Sequence, residues 1–184
     1  MSKSKFTVSR MTQCALLAAL YVVLSTYFSV RVTFIHITFS SLPVVLAAFL
    51  MGTGPALLVA GLGEFMAQVL GYGLSISTFL FMGPQLVRAL VLGVMTAALC
   101  KGFLVEKKPL VLGSIVLTAS VATSLTTTLS LWIDSHLMGY YSYHLVFALS
   151  LQRMVSSLVT ATVISLICVP VVGALRRLPA MQKH

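Results

Sequence analysis

Long apolar segments dominate this chain, and they restrict its possible folds more than any other feature. Between Leu42 and Gly71, two such segments are joined by Gly52, Gly54 and Pro55 without a charged residue at the junction. Only 8% of the 184 residues are charged and 59% are hydrophobic, whereas a soluble domain carries about 25% charged residues. The sequence therefore predicts an integral membrane protein built from helices, which satisfy their own backbone hydrogen bonds in lipid.

The apolar segments predict an all-α bundle of six transmembrane helices. We expect them at about residues 11–30, 42–51, 55–71, 78–100, 109–133 and 145–174, with the second one short and the fourth interrupted by Gly83 and Pro84. A chain of this length is expected to form a single domain over residues 1–184. Residues 1–10 and 175–184 are basic flanks, and Arg31–Ser41 alternates in the way that is typical of extended backbone.

The basic residues predict the orientation of the bundle. Six helices put both termini on one side, together with the second–third and fourth–fifth connections. That side holds nine of the twelve basic residues: Lys3, Lys5, Arg10, Lys101, Lys107, Lys108, Arg176, Arg177 and Lys183. The positive-inside rule therefore predicts cytoplasmic termini. The net charge of +9 is explained as a topology signal, and we expect no nucleic-acid partner.

Two opposite charges are expected at similar depths within the membrane. Glu64 lies nine residues after Pro55, about 13 Å along a helix, and Arg88 lies ten residues after Thr78 on the antiparallel neighbour. The sequence predicts a Glu64–Arg88 ion pair, because ionisable side chains rarely persist in lipid without a partner. Its role is left open between structural neutralisation and a direct part in substrate binding or gating.

Polar and aromatic residues gather in or near the three loops predicted on the outer side, which are Arg31–Ser41, Gly71–Ser77 and Asp134–Tyr143. Arginine binds carboxylates through its planar fork, and aromatic faces suit a planar ligand, although an interfacial aromatic belt is the alternative for the rings. The predicted substrate-binding residues are Arg31, His36, Gln85, Trp132, Tyr140, His144, Gln152 and Arg153.

Familiar catalytic and metal-binding motifs are missing from the sequence. It contains no GxxxxGK[ST], HExxH or GxSxG pattern, and Asp134, His136 and His144 do not match a common ligand spacing. We expect no cofactor, no metal and no catalytic residues. Ala15 and Ala19 form a small-residue face on the first helix, which suits either internal packing or lateral docking.

The chain resembles the substrate-binding S-components of energy-coupling-factor (ECF) transporters, most closely the folate-family S-components. The resemblance covers about Met11 to Leu178. It is carried by ALLAA from Ala15 to Ala19, by ITFSSLPVVLAAFLMGTGPALLVAGLGEF and by LQRMVSS in the sixth helix. Ser40 stands where the family pattern leads us to expect Gly, and Glu64 stands where Asp is commoner.

The resemblance implies a vitamin-binding subunit of an ECF-type ABC importer in the bacterial plasma membrane. Such a subunit binds its vitamin from outside, docks on a transmembrane coupling protein through the Ala15 and Ala19 face, and depends on two cytoplasmic ATPase subunits. Folate is the expected ligand, with Arg31, Arg153 and His36 at its glutamate tail, and pyridoxine or pantothenate are the alternatives. From a different class, an intramembrane enzyme that uses Glu64 is also open.

Overall fold

The computed structural model describes residues 8–32, 35–99 and 109–176. Six α-helices follow one another along the chain: α1 Val8–Tyr27, α2 Ser41–Met51, α3 Thr53–Tyr72, α4 Ile76–Leu99, α5 Pro109–Leu137 and α6 Leu149–Arg176. Between α1 and α2 lies an antiparallel hairpin of β1 Ser29–Val32 and β2 Ile35–Thr38. A π-helical turn, His144–Ala148, precedes α6. The all-α fold class and its six helices are confirmed.

The ends of several helices differ from the prediction. The first helix ends at Tyr27 rather than Val30, because Ser29–Val32 pairs with Ile35–Thr38 instead of continuing the helix. The fifth helix continues past Ile133 to Leu137, so that Asp134 is helical. The loop predicted at residues 71–77 is much shorter, since α3 reaches Tyr72 and α4 begins at Ile76.

The fourth helix runs through Gly83 and Pro84 without a break. Proline cannot donate a backbone hydrogen bond to the carbonyl four residues earlier, here that of Leu80. The hydroxyl of Ser130 on α5 donates to this carbonyl at 3.1 Å. A neighbouring side chain thus satisfies the group that Pro84 leaves without its usual partner, which is how proline is tolerated inside membrane helices.

The surface of the bundle is apolar, as expected for a membrane protein. Within the described residues, four helices are long and apolar enough to cross a membrane: α3, α4, α5 and α6. Large side chains such as Leu70, Phe79 and Leu166 are exposed on their outer faces. In contrast, α2 has 11 residues, about 16 Å of helix, and eight of these residues are buried. It is therefore a core helix, too short to span the bilayer alone.

Small residues let the helices approach one another closely. A Cβ atom at Gly63 would lie 2.7 Å from Cγ of Tyr21 on α1, and one at Gly93 would lie 2.6 Å from Cγ2 of Thr53 on α3. Ala56 and Ala60, on the buried side of α3, are fully enclosed. This use of small residues is typical of helix packing in membranes, where lipid is as apolar as the core.

Candidate functional site

A buried carboxylate on α3 is held by a tyrosine from α1. The ring of Tyr21 lies across Gly63, where any side chain would collide with it. This close approach lets the Tyr21 hydroxyl donate a hydrogen bond to Oε2 of Glu64. Nε2 of Gln68, one turn further along α3, donates to Oε1 of Glu64 at 2.7 Å. Both carboxylate oxygens are thus engaged inside the bundle, where Glu64 is only 8% exposed.

Arg88 is held by hydroxyl groups rather than by a carboxylate. Its Nη1 donates to Oγ of Ser41, the first residue of α2, and its Nε donates to Oγ1 of Thr123 on α5 at 3.1 Å. Glu64 lies near enough to interact with Arg88 electrostatically. However, no direct salt bridge joins the two within the described residues, and the predicted ion pair and its role stay a prediction. Tyr21 and Gln68 occupy the carboxylate, and Ser41 and Thr123 occupy the guanidinium.

The two charged groups belong to one polar network. The side chain of Ser40 lies close to that of Tyr21, and its chain neighbour Ser41 accepts from Arg88. The start of α2 therefore links the α1–α3 contact to the α4–α5 contact. Ser40 and Ser41 are both 5% exposed, so the Arg88–Ser41 hydrogen bond is made away from solvent, where it is costly to lose.

A small cavity lies beside Arg88 between α2, α4, α5 and α6. Its polar lining consists of Ser41, Arg88, Ser120, Ser157 and Thr160, and its apolar lining includes Val45, Leu92, Val116, Ala119, Ala161 and Ile164. The cavity volume is about 10 Å³, roughly the space that holds one water molecule. Nearby, the hydroxyls of Ser124 and Ser157 are 2.6 Å apart and join α5 to α6. The site thus combines one cation with several hydroxyl groups.

Gln85 lies one helical turn before Arg88 on α4. Its side-chain oxygen is buried, and it accepts no hydrogen bond from the described part of the chain. Residues three apart on a helix share a face, so Gln85 and Arg88 lie on neighbouring parts of the same side of α4. A buried acceptor of this kind calls for an explanation, and a ligand with an N–H or O–H group would provide one.

A second polar cluster joins the beginning of α4 to the end of α5. Asp134 is 5% exposed, and its Oδ1 accepts from Oγ of Ser77 at 2.5 Å while its Oδ2 accepts from the Tyr140 hydroxyl. The Asp134 hydrogen bond raises the pKa of Tyr140 above its ordinary value. Tyr140 thus anchors the α5–α6 loop to the helix that precedes it.

The aromatic residues near this loop stack on one another. The His136 ring lies 4.7 Å from the Trp132 ring and 4.2 Å from the Tyr141 ring, measured between centroids. Trp132 is 40% exposed. His144 is exposed at the start of the π-helical turn. These rings form a partly exposed rim about the α5–α6 connection. Such a rim is compatible with stacking on a planar ligand and also with an aromatic belt at the membrane interface.

The remaining predicted site residues are distributed over the hairpin, α6 and α1. Arg31 and His36 face each other in the hairpin register, and β2 packs against α6. Gln152 is exposed and Arg153 half-buried in the first turn of α6. Ala15 and Ala19 are both exposed on α1. Their roles in ligand binding and docking stay predictions.

Several functional candidates carried no clear signal in the sequence. In the sequence, nothing distinguishes Tyr21 from the apolar residues around it in α1. Its contact with Glu64 becomes visible only from its position opposite Gly63 in the structure. The cavity hydroxyls Ser120, Ser157 and Thr160 are ordinary residues of apolar helices until α5 and α6 pack together. Asp134 was expected in a loop, whereas the structure buries it at the end of α5.

The fold and the enclosed polar site define a class of protein: a membrane-embedded six-helix bundle of the S-component type. Two solved structures share this fold. One is the "S-component for biotin from an ECF-type ABC transporter", with a TM-score of 0.65, 17% identity and coverage of 97% of this chain and 95% of that chain. The other is the "S component of a bacterial ECF transporter", with a TM-score of 0.61, 17% identity and coverage of 96% and 98%.

The sequence itself then identifies the family. Residues 9–172 match the model of "ECF transporter, substrate-specific component", and the chain belongs to that family. Its members are transporter subunits and not enzymes. Comparison with curated proteins finds no match. At 17% identity, the solved structures establish the fold and leave the substrate to be argued from the site.

Proposed function

We propose that this chain is the vitamin-binding subunit of an ECF-type importer in the bacterial plasma membrane. The family match over residues 9–172 carries the proposal. The termini are cytoplasmic, and the hairpin, the Gly73–Ser75 connection and the α5–α6 loop surround an entrance on the outer side. The positive-inside rule supports this orientation. The Ser77–Asp134 contact supports a shared end for these loops, since it brings the start of α4 and the end of α5 together.

Folate is the vitamin that we propose first. It offers a planar ring, N–H groups and carboxylates, which correspond to the aromatic rim, the buried Gln85 acceptor and the basic residues of the bundle. Arg31, His36 and Arg153 would receive the glutamate tail. Biotin enters as a candidate because a structural relative is the S-component for biotin. Pantothenate and pyridoxine are the further candidates within this class.

The ligand can be identified by native mass spectrometry of protein purified from cells grown in rich medium. A bound mass equal to folate, followed by submicromolar affinity in isothermal titration calorimetry, is the expected result. If the protein binds folate no better than millimolar and another vitamin at nanomolar concentration, folate is excluded while the importer assignment stands. Failure to bind any vitamin would count against the proposed function itself.

The exposed alanine face of α1 is the proposed docking surface for the coupling protein, which works with two cytoplasmic ATPase subunits. Ala15→Leu and Ala19→Leu should reduce co-purification of the coupling protein, because larger side chains keep two helices apart. Ala97→Leu on the exposed side of α4 is the matched control. Equal recovery of the coupling protein with all three variants would exclude docking through the α1 face.

A further inference from the structure

The cavity beside Arg88 is lined by one cation and several hydroxyl groups, which favours one class of ligand group over others. We propose that it receives a carboxylate group of the transported substrate, with Arg88 as the residue that selects for this anion. The inference rests on the proposed function and deepens it, since it restricts the substrate to an acid. Folate, biotin and pantothenate carry a carboxylate, whereas pyridoxine does not. For folate, one of the two carboxylates of the glutamate tail would lie at Arg88 and the other near Arg31, His36 and Arg153.

The first argument is the charge balance around Arg88. Its two hydrogen bonds described above go to neutral hydroxyls, those of Ser41 and Thr123. The carboxylate of Glu64 acts on it only from a distance, because Tyr21 and Gln68 hold both of its oxygens. A buried cation is stabilised best by an anion in direct, hydrogen-bonded contact. A ligand carboxylate beside Arg88 would provide that contact.

The second argument is the rest of the cavity wall. Ser41 and Ser120 present hydroxyls that can donate to an anion, whereas the hydroxyls of Ser157 and Thr160 donate to carbonyls of their own helix. No Asp or Glu among the described residues lines the cavity. Ser41 also opens an 11-residue helix, and helix N-termini favour negative charge. The wall therefore attracts an anion and repels a cation, which is the basis of selection between otherwise similar ligands.

The third argument is the position of the cavity relative to Gln85. The buried Gln85 oxygen lies one turn from Arg88 on α4 and accepts from none of the described residues. A ligand that placed its carboxylate at Arg88 and an N–H group near Gln85 would satisfy both. At about 10 Å³ the cavity is smaller than a carboxylate. Binding therefore requires the Arg88–Ser41 hydrogen bond to open so that the ligand oxygens replace the serine hydroxyl.

The test compares each acid with its neutral carboxamide on purified full-length protein. Folate, biotin and pantothenate, together with their amides and pyridoxine, are titrated into the wild type, Arg88→Gln and Arg88→Lys by calorimetry. For the acid that binds, we expect the wild type to prefer the acid over the amide by about 10- to 150-fold, the range for hydrogen bonds to charged groups. Arg88→Gln should reduce this preference to less than about threefold, and Arg88→Lys should retain part of it.

Two variants on α6 test whether a loss of ligand binding is caused by misfolding. Ala161→Leu keeps Arg88 and fills the cavity, so it should weaken the acid at least tenfold. Thr162→Val is the control, because Thr162 is exposed and bonds only within its own helix. It should bind like the wild type. If Ala161→Leu also binds like the wild type, the carboxylate does not enter this cavity.

The outcomes separate this inference from the proposed function. Tight binding of pyridoxine alone, or an acid preference unchanged in Arg88→Gln, would overturn the carboxylate site and leave the importer assignment intact. If no vitamin binds, thermal stability is compared in acetate and in chloride at equal ionic strength. A rise in Tm with acetate in the wild type, absent from Arg88→Gln, would support the anion site independently of the vitamin. Equal shifts in both proteins would refute it.

Discussion

Gly63→Ala tests the close α1–α3 contact on which the Tyr21–Glu64 hydrogen bond depends. The new Cβ would lie 2.7 Å, 2.8 Å and 2.9 Å from Cγ, Cδ1 and Cβ of Tyr21, closer than Cβ atoms approach other atoms in proteins. Overpacking of this kind lowers the free energy of unfolding by about 1–3 kcal/mol. Alanine also reduces the conformational freedom of the unfolded chain, which raises the free energy of unfolding by about 0.4–1 kcal/mol. We expect a net loss of about 1–2 kcal/mol, or about 2–8 °C in Tm for a chain of this size.

Thermal unfolding in detergent, followed by intrinsic fluorescence, measures this loss. Gly113→Ala on α5 is the matched control, because nothing lies within 4 Å of a Cβ there. Its Tm should be unchanged or higher. In a Tyr21→Ala background the ring is gone and only the Cβ contact at 2.9 Å remains, so adding Gly63→Ala should lower Tm much less than in the wild type. The reasoning is refuted if Gly63→Ala is as stable as the control, or if its full penalty persists without the tyrosine ring.

Three further substitutions test individual hydrogen bonds. Tyr21→Phe removes the buried donor to Glu64 and should cost about 1.5–3 kcal/mol in thermal or denaturant unfolding; an unchanged Tm would show that the carboxylate does not depend on this bond. Ser130→Ala leaves the Leu80 carbonyl beside the proline without its donor and should lower stability by about 1–3 kcal/mol; no change would mean that water or another group replaces the hydroxyl. Tyr140 has a raised pKa, so its hydrogen bond is complete below the ordinary tyrosine pKa of about 10 and is lost only as the pH rises through the higher folded value. Tyr140→Phe should therefore remove from the alkaline absorbance titration one phenol that titrates above the ordinary value. If the phenol that is lost titrates at the ordinary value, the assignment is contradicted.

The helices could be predicted because the length and hydropathy of an apolar segment depend only on consecutive residues. The apolar runs around α3, α4 and α6 are long enough to cross a bilayer, and lipid leaves the backbone few alternatives to a helix. Glycine and proline were less informative. Gly83 and Pro84 predicted an interruption in α4, yet the helix continues because Ser130 satisfies the carbonyl that the proline affects. That rescue comes from another helix, which a local pattern does not reveal.

The partners of the two membrane charges depended on three-dimensional packing. Depth along two neighbouring helices placed Glu64 and Arg88 near one another, and their electrostatic interaction agrees with this. The intervening groups come from elsewhere in the chain: Tyr21 lies 43 residues before Glu64, and Ser41 lies 47 residues before Arg88. Contacts at such separations are set by how α1 and α2 insert beside α3 and α4, and apolar periodicity carries no information about them.

The separation of Glu64 from Arg88 has a functional consequence. A direct ion pair would neutralise both groups and leave the centre of the bundle with little attraction for a charged ligand. Because Tyr21 and Gln68 satisfy the carboxylate on the α1–α3 side, the guanidinium faces the α5–α6 side with hydroxyl partners at the edge of a cavity. The guanidinium can exchange a hydroxyl acceptor for a ligand oxygen at small cost, whereas displacing a paired carboxylate would leave that buried anion without its partner. On the proposal made above, the network keeps the half-buried Arg88 stable without a ligand and still able to take up an anion.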